Sequence, residues 1–98
     1  MIEQLNKIFD SRVRLGIMSL LMVHEQLDYN FLKKTLELTD GNLASHLIAL
    51  EKVDYISVQK AFVGRKTQTT YLATDLGKKA FSEHLTALER IIQEMKTK

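Results

Sequence analysis

The sequence predicts a mainly α-helical fold with one β-hairpin near its C-terminal end. Up to residue 53 the apolar residues recur at helical spacing, with capping residues between the segments. Two later segments, "YISVQKAFV" and "TQTTYLAT", are rich in β-branched and aromatic residues and flank "GRK", which predicts a hairpin over residues 55–74. Apolar residues then return at helical spacing over residues 75–96, which indicates a long terminal helix capped by Thr74.

Two helices are predicted to come first in the chain. Residues 2–9 have their apolar side chains on one side, as in a short amphipathic helix. Residues 11–27 follow, with Asp10 or Ser11 as the cap. Because this second segment is almost continuously apolar, we expect it to lie in the core.

The next two helices form a pair joined by a short turn. Asp28 can cap a helix over residues 29–38, and Thr39 or Asp40 can cap one over residues 40–53. A helix pair of this kind followed by a β-hairpin forms a winged helix-turn-helix. In that arrangement the second helix of the pair enters the major groove of DNA, and the hairpin reaches the flanking backbone.

The outer face of the helix over residues 40–53 suits close contact with DNA. It is mostly small or uncharged, where a solvated helix would carry Glu and Lys. Asn42 can pair with adenine, and Ser45 can reach a base or a phosphate, while His46 suits core packing equally well. Residues 58–79 contain five basic residues and one acidic residue, as a phosphate-facing surface would. The residues predicted to contact DNA are Gly41, Asn42, Ser45, His46, Ala49, Lys52, Arg65, Lys66 and Thr67.

The two ends of the chain predict a homodimer. Apolar residues of the terminal helix are spaced four, three, four and three apart, which is the spacing of a heptad seam. The predicted fold class is therefore a winged helix-turn-helix with N- and C-terminal dimerisation helices. Two-fold symmetry would place two recognition helices about 34 Å apart, so we expect a pseudo-palindromic DNA site. The residues predicted at the dimer interface are Leu5, Ile8, Phe9, Phe81, Leu85, Leu88, Ile92 and Met95.

The segment "LTDGNLASHLIALEKVDYISVQKAFVGRKTQTTYLATDLGKKAF" resembles the winged-helix transcriptional regulators of the MarR/ArsR type, and within them a small stand-alone group. Its motifs are a "T-x-G-N-L-x-x-H-L-x-x-L-E" recognition helix and a "F-x-G-R-x-x-x-T-x-Y-x-L-T" wing. The resemblance implies a homodimeric DNA-binding regulator whose terminal helices form the dimer. Asp54 stands where such relatives usually have glycine, and Asp tolerates the left-handed conformation needed there.

Composition excludes several other classes of protein. The chain of 98 residues is 45% hydrophobic and 27% charged, which is typical of one globular domain. It has no cysteine and no H-x-x-x-H pair, so no disulfide, metal site or other cofactor is expected. No nucleophile–base set suggests an enzyme. The longest uncharged run, residues 15–23, is too short to cross a bilayer, and no signal peptide is visible, so we expect a cytoplasmic protein.

Two functions remain as alternatives at this point. The favoured one is a regulator of transcription, most simply a repressor that competes with polymerase for double-stranded DNA. The other is a winged-helix module for protein interaction with weak or no DNA binding, which the apolar Ile48 and Ala49 on the outer face favour. For the regulator, a small-molecule effector and control by concentration alone are equal alternatives.

Overall fold

The computed structural model of the protein describes residues 2–97 and confirms the mainly helical fold with a β-hairpin. Its α-helices and strands are α1 (Arg12–Val23), β1 (Leu27–Asp28), α2 (Tyr29–Thr35), α3 (Asp40–Lys52), β2 (Ile56–Val63), β3 (Lys66–Ala73) and α4 (Asp75–Lys96). The strands form one antiparallel sheet in the order β1-β3-β2. The hairpin of β2 and β3 is the wing, and α2 with α3 is the helix-turn-helix pair.

A side-chain cap begins each of the four α-helices. The capping residues are Ser11, Asp28, Thr39 and Thr74, and each side-chain oxygen accepts a hydrogen bond from the backbone N–H three residues later. Such a bond satisfies one of the N–H groups that the first helical turn leaves without a partner. Where the sequence allowed two candidate caps, the hydroxyl residue is the cap in both cases.

The N-terminal segment is not the continuous helix that the sequence predicted. It forms two short 3-10 helices, Ile2–Gln4 and Lys7–Asp10. Between them, the Asn6 side chain accepts a hydrogen bond from the N–H of Ile8, and the N–H of Asn6 donates to Nδ1 of His84 on α4 at 3.0 Å. A continuous helix would use that N–H in its own hydrogen bonds, so the contact with α4 interrupts it.

The segment between α1 and α2 contains a strand that was not predicted. α1 ends at Val23 instead of continuing to residue 27, because His24 is extended (φ −122°, ψ 136°). Leu27 and Asp28 then pair with Tyr71 and Thr70 of β3 as the short strand β1. This third strand connects the wing to the helix-turn-helix pair.

One hydrophobic core joins the helices to the base of the wing. α1 contributes the fully buried Ile17, Met18 and Leu21 to this core, and it lies against α3 and β3. The remaining core residues are Phe9, Leu32, Leu43, Leu47, Leu50, Ile56, Tyr71, Ala73 and Phe81. Because α3 and the wing share this core, their relative position is set by packing and not by their linker alone.

Two turns fix how the elements leave the core. Asp54, between α3 and β2, has the left-handed conformation predicted for it (φ 60°). α4 begins against the same turn, where Gly77 lies so close to Tyr55 that a Cβ at position 77 would overlap the Tyr55 carbonyl oxygen. The N–H of Thr74 donates to that carbonyl at 3.0 Å, and the Thr74 hydroxyl donates to the carbonyl of Asp54 at 2.6 Å. The start of α4 is thereby joined to the end of α3.

Candidate nucleic-acid interface

α3 presents one side to the core and the opposite side to solvent. Leu43, Leu47 and Leu50 fill the core side and are at most 1% exposed. Of the residues predicted to contact DNA, Gly41, Asn42, Ser45 and Lys52 are exposed, while His46 and Ala49 are half-buried at the border of the two sides. The structure therefore gathers the first four residues on one accessible surface.

The first turn of α3 keeps its polar groups available. Within residues 2–97 the side-chain amide of Asn42 makes no hydrogen bond, whereas its backbone carbonyl accepts one from the Ser45 hydroxyl at 3.1 Å. A Cβ added at Gly41 would meet nothing within 4 Å. Neither packing nor backbone conformation therefore requires glycine at position 41.

The two acids of α3 lie away from the middle of its exposed face. Asp40, in the first turn, forms an ion pair with Lys33 Nζ at 3.1 Å and accepts a hydrogen bond from the Tyr29 hydroxyl. Those hydrogen bonds, from Lys33 first and then from Tyr29, hold the pKa of Asp40 below its usual value. Glu51 is half-buried toward β3, where its charge adds to the effect of burial in raising the pKa of Tyr71. Negative charge at the start of α3 is thus compensated within the helix-turn-helix pair.

His46 is held by an arginine that the sequence did not connect with it. The Arg14 guanidinium donates from Nε to the carbonyl of Ile8 at 2.6 Å, and its Nη1 lies 3.2 Å from His46 Nδ1. Burial, and then the positive charge of Arg14, lower the pKa of His46. A neutral imidazole can accept the Arg14 hydrogen bond through Nδ1. This geometry favours the packing interpretation of His46, as a residue that joins α3 to α1 and the N-terminal segment.

The wing extends its positive tip into solvent. The turn between β2 and β3 has two residues, Gly64 and Arg65, and Gly64 adopts a left-handed φ of 66° that glycine accommodates without strain. All side chains from residue 58 to residue 68 are exposed. Arg65, Lys66 and Thr67 therefore lie together at the tip, as the sequence predicted for residues that contact a phosphate or a groove.

Five of the eight residues predicted for a dimer interface lie on α4, and the structure buries two of the eight in the core. Phe9 and Phe81 are 4% and 2% exposed, and their rings pack edge-to-face at 5.1 Å in the core. Because they have almost no surface left to bury, these two residues would add little area to an interface with a second copy. Leu5, Ile8 and Leu88 are half-buried. Leu85, Ile92 and Met95 are exposed, and the last two follow the point where α4 leaves the core.

Other kinds of site were sought over the same part of the chain. Among residues 2–97, no group of three or more His, Asp or Glu side chains could hold a metal ion. No helix within that range has the length and apolar character needed to span a membrane. A cleft of about 570 Å³ lies open to solvent between the N-terminal segment and α4, and both acidic and basic side chains line it.

Comparison with known proteins relates this geometry to a family. The profile of the "winged helix DNA-binding domain" family matches residues 13–92. An uncharacterized protein of Methanocaldococcus jannaschii, MJ0432, is 38% identical over 79 residues, which are 81% of this chain and 86% of that protein.

Solved structures show the same fold. The transcriptional regulator homologue protein from Pyrococcus horikoshii OT3 superposes with a TM-score of 0.81 and 31% identity, over 95% of this chain and 97% of the other. YusO from Bacillus subtilis superposes with a TM-score of 0.82 over 96% of this chain and 66% of the other, and at 19% identity it shows the fold alone. With its helix-turn-helix pair, its wing and a family profile that spans most of its length, the chain belongs to the winged helix DNA-binding domain family.

Proposed function

We propose that the protein is a sequence-specific regulator of transcription that binds double-stranded DNA as a homodimer. In this proposal α3 enters the major groove and wing residues 63–68 contact the flanking backbone or minor groove. The protein acts in the cytoplasm without a cofactor, and as a repressor it competes with polymerase for promoter DNA. Membership of a DNA-binding family supports the regulator, and the geometry of α3 supports the mode of binding.

The exposed face of α3 is the observation that carries the proposal. A helix in the major groove must bring short side chains to base edges without repelling the phosphates. Gly41, Asn42 and Ser45 meet the first condition, because they are exposed and small or polar. The pairing of Asp40 with Lys33 meets the second, because it compensates the acid in the first turn.

The wing supplies the positive charge that α3 largely lacks. α3 has one Lys or Arg, at Lys52, whereas Arg65 and Lys66 stand side by side at the exposed tip of the wing. Cations that contact phosphates add affinity for any duplex and make that affinity depend on salt. We therefore assign base reading to α3 and much of the sequence-independent attraction to the wing.

The apolar stripe on α4 supports the homodimer. Leu88 is half-buried, and Ile92 and Met95 are 50% and 73% exposed, although they continue the face that Phe81 buries in the core. A heptad seam on an amphipathic helix is typical of a coiled-coil partner. A second copy packed along this stripe, with contributions from Leu5 and Ile8, would cover it and place two α3 helices on one face of DNA.

The test is binding of the purified protein to mixed-sequence duplex DNA, measured by fluorescence anisotropy at several salt concentrations. We expect affinity to fall steeply as salt rises. The variant with both Arg65→Ala and Lys66→Ala should weaken binding to all duplexes alike. If each side chain contacts one phosphate, the slope of log K against log salt should decrease by about 1.8 per protomer.

A charge-matched control separates the wing from net charge. The variant with both Lys7→Ala and Lys96→Ala loses the same two charges from exposed positions outside α3 and the wing. It should keep the wild-type slope to within the small effect of overall charge. If both double variants lower the slope equally, the wing assignment is wrong, although DNA binding itself would stand.

An interaction module is the second candidate, and Ile48 is the observation that favours it. This side chain is 58% exposed on the face where DNA would bind. Exposed apolar side chains also occur at surfaces that bind other proteins. If no duplex binds even at low salt, while sedimentation shows a folded dimer, the DNA-binding proposal fails. The exposed face of α3 would then be assigned to a protein partner.

A further inference from the structure

Ile48 is an exposed apolar residue that the fold does not use. Along the outer side of α3, Gly41, Ser45, Ile48 and Lys52 are spaced four, three and four residues apart, so they form one ridge. Ile48 is 58% exposed and is not among the half-buried residues that pack against the core. Because β-branched residues are also moderate helix formers, neither packing nor helix propensity explains isoleucine at this position.

The neighbours of Ile48 limit what it can touch in a major groove. Along the helix axis Ser45 lies about 4.5 Å before it and Lys52 about 6 Å after it. Lys52 is long enough to reach a phosphate, whereas the shorter Ile48 can make contact only with something directly opposite the ridge. Within the major groove the one apolar group on a base edge of unmodified DNA is the 5-methyl group of thymine.

We propose that Ile48 reads the 5-methyl group of a pyrimidine, supplied by a thymine in each half of the DNA site. The proposal rests on the DNA-binding function and names the chemistry of one position in its target. 5-Methylcytosine carries the same methyl group, so the two sources must be distinguished by experiment. The side-chain amide of Asn42, about 1.7 turns earlier on the helix, has no hydrogen bond within residues 2–97 and suits the adenine of another A·T pair in the same half-site.

Removal of the methyl group from DNA tests the proposal directly. A preferred duplex is first selected from a random pool with the full-length protein, and deoxyuridine then replaces thymine at one position at a time. At the position opposite Ile48 the loss of one buried methyl group should weaken binding about four-fold. Replacement of that T·A pair by C·G and by 5-methylcytosine·G completes the set. If only the T·A duplex binds with full affinity, thymine is the source of the methyl group. If the duplex with 5-methylcytosine·G binds as tightly as the T·A duplex, methylated cytosine is an equivalent source.

The protein side of the experiment uses two matched variants. Ile48→Ala removes the proposed contact and, because the position is exposed and helical, leaves the fold intact, which circular dichroism can verify. This variant should bind the thymine and deoxyuridine duplexes equally. Val23→Ala removes an apolar β-branched side chain that is also exposed, at 76%, but lies at the end of α1, outside α3 and the wing. It should retain the four-fold difference at the α3 position.

Each of the remaining outcomes contradicts either the inference about Ile48 or the proposed function. If the protein binds DNA but no position shows a methyl effect, the inference about Ile48 is wrong and the proposed function remains. If it binds DNA but no sequence is enriched from the pool, the inference about Ile48 and the sequence specificity of the proposed function are both wrong. If Ile48→Ala keeps the difference between thymine and deoxyuridine, another side chain reads the methyl group. Failure to bind any duplex overturns the proposed function itself, and the inference with it.

Discussion

Replacement of Gly77 by alanine should destabilise the protein through one specific overlap. A Cβ at this position would lie 2.7 Å from the carbonyl carbon and 2.9 Å from the Cα of Tyr55, and closer still to the carbonyl oxygen. These are backbone atoms, and the same carbonyl accepts a hydrogen bond from Thr74. The overlap therefore cannot be relieved by a rotamer change, and α4 must move away from the turn that follows α3.

The size of the effect follows from two opposing terms. Overpacking a tight contact costs about 1–3 kcal/mol, and a backbone obstacle puts this substitution near the upper end. Alanine recovers up to about 1 kcal/mol because it forms helix better than glycine. We expect a net loss of about 2 kcal/mol in the free energy of unfolding. For a domain of this size that loss lowers Tm by roughly 8–16 °C, which thermal melts followed by circular dichroism will resolve.

Gly41→Ala is the matched control, since Gly41 also lies in the first turn of a helix. A Cβ there meets nothing within 4 Å, so the variant should be as stable as the wild type or about 0.5 kcal/mol more stable. DNA binding by this variant should nevertheless weaken if position 41 approaches the duplex closely. A Tm for Gly77→Ala within 2 °C of that for Gly41→Ala would refute the close approach of α4 to Tyr55.

Two further predictions concern the contact between His46 and Arg14 and the proposed dimer. Burial and Arg14 lower the pKa of His46 from its usual 6.5, so the unfolded chain binds the proton first as pH falls. The free energy of unfolding of the wild type, measured in urea relative to His46→Gln, should therefore decrease as pH falls below 6.5. A difference between the two proteins that does not change with pH would contradict this reasoning. Ile92→Glu should convert the proposed dimer to a monomer in sedimentation, whereas Gln93→Glu, with the same added charge outside the stripe, should leave it a dimer.

The order of the elements was predictable because it depends on local chemistry. A capping oxygen acts on a backbone N–H only three residues away, so Asp28 and Thr74 mark helix starts that the structure confirms. For Asp54 the family resemblance placed a glycine-type turn at this position, and the structure confirms that Asp adopts the left-handed conformation there. The exposed face of α3 is likewise a consequence of helical periodicity, so its composition was visible before its surroundings were known.

What the sequence did not reveal depends on residues far apart in the chain. The N–H of Asn6 bonds to His84, 78 positions later, and this contact interrupts the predicted N-terminal helix. His46 contacts Arg14 across 32 positions, so no local pattern distinguished a packed histidine from one that faces DNA. β1 has only two residues, and it exists because β3 offers it a hydrogen-bonding edge. Each case is a tertiary contact that overrides a local preference.

The composition of α3 has a consequence for how the protein would discriminate between DNA sequences. Non-specific binding comes almost entirely from phosphate neutralisation, and α3 contributes only Lys52 to it. A basic residue in place of Ile48 would strengthen binding to every duplex, whereas isoleucine strengthens binding only where a methyl group lies opposite. If Ile48 reads a methyl group as proposed, an apolar side chain in place of a charged one would lower the affinity for DNA in general but raise the ratio of specific to non-specific binding. That ratio decides occupancy against a large excess of competing sites. In the proposed homodimer this contact occurs once in each half-site, so Ile48 on α3 and the apolar stripe of α4 would act together on the ratio of specific to non-specific binding.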